Sequence, residues 1–330
     1  MANAATWRMK AALVLALAPV VATLPTSPVL SDAAYPSRAI KVIVPIPPGA
    51  AADILPRIVS EKLAALWRHA VVIENRPGAN SNLGAEAAAQ AAPDGYTLLA
   101  TPPPPLMVNQ KLFAKVGFDP QAFVPVTILA TITNVLVAAP NLPFSTLPEM
   151  IAYARAHPGA LRYASAGVGS SPHLAMEWLA DRAGVRMTHV PYNGLARALS
   201  DVAAGHVDMM FNNTFNVLPL LKDGKLKALG VTSAERFSEL PDLPAIAEQY
   251  PGFVVTAWFA VVAPPGTPAP IAEKLSGTIS DILREPDVSQ RFRKFLAEPV
   301  GGNPGETAAF LERERERWAR MLEAAALEAR

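Results

Sequence analysis

The chain has 330 residues, 51% of them hydrophobic and 17% charged, with a mean hydropathy of +0.22; that length can bury a large core and fits two domains. Its 33 prolines imply many short elements joined by stiff turns and argue against a helical bundle. With 29 basic and 28 acidic residues the chain shows no footprint for nucleic acid or an anionic membrane, and the absence of cysteine excludes thiolate nucleophiles, thiolate metal sites and a disulfide framework.

The first residues read as a leader. Arg8 and Lys10 precede an apolar run, Ala11 to Leu24, that Pro19 interrupts, and small residues follow at Ser31-Asp32-Ala33. A basic region, a short apolar region and a small-x-small site make a secretory signal peptide. It is expected to span 1–33, with cleavage near Ala33 and export to the periplasm. The run falls short of the ~20 apolar residues of a spanning helix. Loss of Arg8, Lys10 and Asp32 takes the charged residues from 29 and 28 to 27 of each sign.

From residue 38 strands and helices alternate. Ile40–Val44 reads as a strand, Pro45–Ala52 as a Pro/Gly loop, and 53–67 as a helix with Ile54, Leu55, Ile58, Leu63 and Leu66 on one face. Pro56 fits only a first turn, so that helix is expected to start close to Asp53. Val71–Glu74 is the next strand, "NRPGANSN" leads into an Ala-rich helix at 83–92, and Asp94-Gly95 turns into the strand Tyr96–Ala100. This is the grammar of βαβ units and a mostly parallel sheet.

The same grammar restarts after residue 135. "NVLVAAP" is a strand, Leu147–Ala156 a helix, and Leu161–Ser165 a strand that breaks into a glycine turn and another helix. "MTHVPY", a helix at 195–204, and the strands "VDMMFN" and "LKALGVT" follow. Two similar units imply two lobes, with Val124–Ala139 and Val254–Ala263 as strands crossing between them. The expected division is lobe 1 at 34–134, lobe 2 at 135–256, and a return to lobe 1 at 257–330. Residues 270–330 read as helical, and the run Glu312–Arg317 as a solvated face with i,i+3 pairs.

No hydrolase, zincin or P-loop motif is present, and the five histidines, 69, 157, 173, 189 and 206, show no ligand spacing. No metal or cofactor is expected. Two turns carry what chemistry there is. "SAGVGSS" (Ser165–Ser171) and "PIPPGAAAD" (Pro45–Asp53) each join a strand to a helix with small residues throughout. Such a junction presents N–H groups and the positive helix end to an anion. Neither turn contains Arg or Lys, which fits a carboxylate better than a phosphate. Each also fits a plain connection, with Ser170 or Asp53 as a helix cap.

The stretches "YPSRAIKVIVPIPPG", "VVIENRPGA", "APDGYTLL", "LRYASAGVGSSPHLA", "HVPYNG", "VDMMFNN", "LKALGVTSAER", "GTPAPI" and "EPVGGNPGE" resemble, in order and spacing, the periplasmic solute-binding proteins of the tripartite tricarboxylate transporter family, often called the Bug family. The resemblance runs over essentially the whole mature chain. It implies a two-lobed Venus-flytrap fold, not an enzyme, which holds a small carboxylate between its lobes and delivers it to membrane components of a tripartite tricarboxylate transporter. The protein is expected to act as a monomer. By this likeness the ligand site comprises Gly49, Ala50 and Asp53 in the first turn, Ser165, Gly169, Ser170 and His173 in the second, and Thr101, Tyr192, Asn212 and Asn213 around them.

Several positions depart from the family pattern. Ala50 replaces a glycine, Ile46 an aromatic, Ala52 a hydroxyl residue and Asn212 a residue that is often acidic. Pro102–Pro105 forms a tetraproline expected to be extended, stiff and apolar. These changes favour an apolar or aromatic carboxylate over an amino acid. Two other functions fit the residues: a ligand-loaded sensor that signals to a membrane partner, and an exported α/β hydrolase using Ser170 and His173.

Overall fold

A computed structural model describes residues 35–325, so the expected leader at 1–33 lies outside the described residues. The first lobe runs β1 (Ile40–Val44), α1 (Ala51–Trp67), β2 (Val71–Asn75), α2 (Asn82–Ala89) and β3 (Thr97–Thr101). β1 lies between β2 and β3, all parallel. Strand alternation sends Val42 and Val44 to one face with Leu55 and Ile58 of α1, and Ile43 to the other with Ala85 and Ala88 of α2. Helix α1 starts two residues before Asp53, which leaves Pro56 inside it rather than in its first turn. The earlier start follows from Gly49, whose φ of +98° turns the chain sharply after the strand.

Two short helices, α3 (Pro104–Met107) and α4 (Asn109–Leu112), lead to β4 (Val124–Ala138). The tetraproline is therefore not extended. Pro103 has helical angles and Pro104 and Pro105 are buried in the first turn of α3, where a missing N–H costs nothing.

The second lobe repeats the plan after α5 (Leu147–Ala156), with β5 (Arg162–Ser165), α6 (Ser171–Ala183), β6 (Thr188–Pro191), α7 (Leu195–Ala203), β7 (Met209–Asn213), α8 (Thr214–Lys222) and β8 (Lys227–Val231). β5 lies between β6 and β7, again parallel. Leu174, Trp178 and Leu179 of α6 pack with Tyr163 and Phe211, while Ala198 and Val202 of α7 pack with Ala164 and Met210 on the opposite face. The chain returns through α9 (Ile246–Gln249), β9 (Thr256–Ala263), α10 (Ala269–Arg284), α11 (Pro286–Arg293), β10 (Ala297–Gly301) and α12 (Pro304–Ala324). β10 was not legible as a strand, because Pro299 and Gly301 break its pattern.

Both expected crossings are present. β4 pairs with β9 and β10 along its first part, then with β7 and β8 along its last. The returning chain has Val255 in the second lobe's core and Ala257 packed on the first lobe's. At the crossing the Asn134 amide donates to the Val255 carbonyl at 3.1 Å, and the Asn134 carbonyl accepts the Thr232 N–H at 2.9 Å.

Helix α12 touches both lobes. Leu311 packs with Ile43 and Trp258, while Trp318, Met321 and Leu322 join the core around α6. Glu314 sits between these contacts. It is 3% exposed and accepts the indole N–H groups of Trp258 at 2.8 Å and Trp318 at 3.2 Å, with Arg317 at 2.6 Å on its other oxygen. Replacing Glu314 with Ala strands two buried donors, so it should destabilise the protein by about 2–4 kcal/mol. Glu314→Gln, which keeps an acceptor, should lose less. Urea unfolding of the two variants checks both the size and the order.

Candidate functional site

The winding of each lobe marks one edge of its sheet. In the first lobe the chain leaves β1 through α1 to β2 on one side, then through α2 to β3 on the other. The connections diverge outside the carboxyl ends of β1 and β3, where open α/β sheets bind ligands. The second lobe does the same with β5, β6 and β7, so its divergence lies outside β5 and β7. The turn at 45–50 and Thr101 stand at the first point. The turn at 166–170 and Asn213 stand at the second. The glycine turns singled out in the sequence thus fall where topology alone would look.

The first turn is exposed from Pro47 to Ala50 and braced from below. Asp53 is 2% exposed and accepts the Gly49 N–H at 2.9 Å, Arg57 Nε at 3.0 Å and Asn75 Nδ2 at 2.8 Å. Burial opposes its charge, but hydrogen bonds from Arg57, Asn75 and Gly49 outweigh it and hold the carboxyl below the usual range. Asp53 is thus committed to shaping the turn, and so is the N–H of Gly49. What remains is the start of α1, which has no side-chain cap. The N–H groups of Ala51 and Ala52 are its first, for which a helix supplies no acceptor.

The second turn is more enclosed. Ser165, Gly169, Ser170 and His173 are all brought together in it and all are buried. The Gly167 carbonyl accepts both the N–H and the hydroxyl of Ser170, at 3.2 and 2.7 Å. That carbonyl also accepts the Ser165 hydroxyl at 3.1 Å, while Ser165 Oγ accepts the Gly167 N–H at 3.0 Å and shares a hydrogen bond with His189 Nε2 at 2.7 Å. His173 Nδ1 accepts the Gly169 N–H at 3.0 Å. The hydroxyls expected to donate to a ligand instead fix the turn. Ser170 spends its one hydrogen on Gly167, so it makes no nucleophile–base pair with His173. As in the first lobe, the helix start is uncapped, and the N–H of Ser171 opens α6 without a side-chain partner.

The remaining predicted residues divide. Thr101 is 1% exposed and donates to the Pro102 carbonyl at 3.0 Å. Tyr192 lies beside the second turn by its backbone, its N–H on the Ser165 carbonyl at 3.1 Å, while its hydroxyl donates to Asp201 at 2.8 Å. Asn212 and Asn213 are neighbours on a strand and point to opposite faces. Asn212 is 1% exposed, and its oxygen accepts Asn213 N–H at 2.8 Å and Asn216 Nδ2 at 3.0 Å. Asn213 opens α8 without a side-chain cap bond. Among the described residues no cluster of His, Asp and Glu is placed to hold a metal ion.

Sequence reasoning missed the segment that ties the two turns. Gly84 of α2 lies against Pro45 of the first turn, where a Cβ would come within 2.7 Å. Ala79, Asn80 and Ser81, just before α2, have φ of +47°, +52° and +75°, a left-handed turn of three non-glycine residues. Each such residue stores on the order of 1–3 kcal/mol of strain. Their geometry is held by Asn109, which is fully buried. Its amide donates to the Asn80 carbonyl at 2.9 Å and to Asn82 Oδ1 at 2.6 Å, and its oxygen accepts from Asn80 at 2.9 Å. One turn of α4 further on, Leu112 meets Gly169 so closely that a Cβ there would lie 2.1 Å from its methyl group. The doubled asparagines of "ANSN" and the glycines were the visible signal; their partner Asn109 carried none.

A sequence model for the family described as "Tripartite tricarboxylate transporter family receptor" matches residues 55–327. A UPF0065 protein in the tcbD-tcbE intergenic region of Pseudomonas sp. strain P51 is 38% identical over 292 residues, 88% of this chain and 87% of its own. Protein BugT of Bordetella pertussis is 36% identical over 299 residues, covering 90% and 91%. Among solved structures, R. palustris Rpa4515 with adipate has a TM-score of 0.82 at 34% identity, covering 90% of this chain and all of its own. MatC from Rhodopseudomonas palustris, with bound malate, has a TM-score of 0.77 at 33% identity, covering 87% and 100%.

The bracing of the first turn has a pH signature. Because the folded pKa of Asp53 lies below its unfolded value of about 3.9, its stabilisation is complete above that pH and is lost as pH falls through the folded value. Asp53→Asn should cost about 1–3 kcal/mol at pH 7, and the gap to wild type should narrow below pH 4. Urea midpoints measured from pH 7 down to pH 3 test this.

Proposed function

The chain belongs to the tripartite tricarboxylate transporter family of receptors, and from that premise we propose that it captures a small carboxylate between its two lobes and delivers it to the membrane components of such a transporter. The fold is that of a periplasmic binding protein, and no helix among the described residues is long and apolar enough to cross a membrane. The leader at 1–33 would place the mature chain in the periplasm as a single copy.

The observation that carries the reading is the pair of uncapped helix starts, α1 and α6, each at the divergence of its own lobe. Backbone N–H groups and helix dipoles favour a negative group without adding a formal charge. A carboxylate held this way is released more readily than one gripped by arginine, which suits a protein that must hand its ligand on. Neighbours solved with adipate and malate support the choice of anion. Closure needs no chemistry, because a ligand that bonds to both lobes only when they meet stabilises the shut state.

The side chains around the turns favour an apolar or aromatic acid over an amino acid. An ammonium group needs acceptors, and the oxygen of Asn212 is already occupied by Asn213 and Asn216.

Two measurements test this. Adipate, malate, benzoate and a set of amino acids should be screened by thermal shift; the acids should raise the melting temperature, by about 2.7 kcal/mol of added stability at a hundred times Kd, and the amino acids should not. The second deletes a backbone donor. Ala51 is the first helical residue of α1 and follows an extended Ala50, so proline fits there without disturbing the helix. Ala51→Pro should weaken binding of the best acid about ten- to a hundredfold, the worth of one hydrogen bond to a charge. Undiminished affinity would remove α1 from the site.

A further inference from the structure

Behind the second turn lies a column of rings. His173 of α6 and His189 of β6 stack with centroids 3.9 Å apart and planes 20° off parallel, and Tyr163 of β5 lies 5.0 Å from His189. Each imidazole holds a different part of the turn. Nδ1 of His173 takes the Gly169 N–H, and Nε2 of His189 is hydrogen-bonded to the Ser165 hydroxyl, whose oxygen in turn accepts the Gly167 N–H. The first contact needs an unprotonated Nδ1. Gly169 has a φ of +77° and rests against Leu112, so the turn cannot relax toward α4 if the imidazole withdraws.

We propose that His173 and His189 are positioning residues for ligand capture, which shape the second turn as a stacked, neutral pair hydrogen-bonded to it and lose that hold when either is protonated. This rests on the reading of the second turn as a ligand-binding wall. A proton on Nδ1 of His173 would aim a donor at the Gly169 N–H, and a proton on either ring would place a charge in a stack beside a second imidazole. The charged and titratable groups facing the column offer no relief. Tyr163 donates its hydroxyl to Glu177 of α6, which engages the nearest carboxylate, and burial holds that phenol protonated well beyond its ordinary range. Arg162 and Asp208 pair with each other on the other face of β5, and Thr188 of β6 donates to the Gly159 carbonyl. Burial lowers His189 to about 4, so the ring stays neutral through the physiological range. The sign follows: an unfolded histidine titrates near 6.5, so this contribution to stability is whole above that pH and drains away as pH falls toward 4.

The test pairs apolar with polar replacements and uses adipate as the probe. At pH 7.5, His173→Leu and His189→Leu should each lose at least tenfold in affinity. His173→Asn, whose Oδ1 stands near the place of Nδ1, and His189→Gln, whose amide reaches the place of Nε2, should each recover most of that loss. Leucine variants that bind as wild type, or polar variants no better than leucine, overturn the proposal. A second readout needs neither ligand nor variant folding. In the wild-type protein the amide signals of Gly167 and Gly169 should shift in step with the His189 ring, with a midpoint near pH 4, and amides that ignore that titration also overturn it. If wild type binds neither adipate nor malate, the carboxylate reading fails, and the amide titration still decides the role of the histidines.

Discussion

The hydrogen-bond demand of one long strand governs the architecture. β4 runs for fifteen residues, Val124–Ala138, and both of its edges are buried in sheet. Its first part is paired on both sides by strands of one lobe and its last part by strands of the other. The changeover falls at Asn134, whose side chain and backbone bind Val255 and Thr232 where the chain crosses back. A buried backbone group left unpaired costs about as much as a lost hydrogen bond. The residues around Asn134 are therefore where the pairing passes from one lobe's strands to the other's without leaving a backbone group unpaired.

From that frame the two turns inherit their placing, and their chemistry is economical. Nearly every polar side chain near them is spent on the protein itself: Asp53 on Gly49, Ser170 on Gly167, Ser165 on His189, and Asn212 on Asn216 of α8. What is left over is backbone. A site whose donors are helix starts is rigid before the ligand arrives, because the donors are fixed by the helices that carry them. The left-handed turn at Ala79–Ser81 and the buried Asn109 extend that rigidity from one turn to the other. Strain held at that point is repaid by an asparagine whose hydrogen-bonding groups are all engaged.

Much of this was legible in the sequence, for identifiable reasons. The parallel strands announce themselves because both faces are buried, so Ile40–Val44 and Met209–Asn213 are continuous apolar runs, and small residues after them mark the turns. The lobes could be counted because the pattern repeats. What escaped depended on distant partners. β10 has the composition of a loop and is a strand only because β4 offers it an edge. The prolines read as extended until their neighbours bury Pro104 and Pro105 in the first turn of a helix. Asp53 and His173 stand at the turns, but their own bonds to Gly49 and Gly169 point inward, a distinction that no spacing encodes. His189 and Asn109 are close to the site only in three dimensions.

The last helix carries a consequence for how the protein comes to be folded. Trp318, Met321 and Leu322 complete a core otherwise built from residues 108–255, and Glu314 satisfies an indole on β9. Without that final stretch, the middle of the chain lacks part of its interior. The order of the chain thus makes α12 a clasp, whose residues close a core that earlier segments leave incomplete.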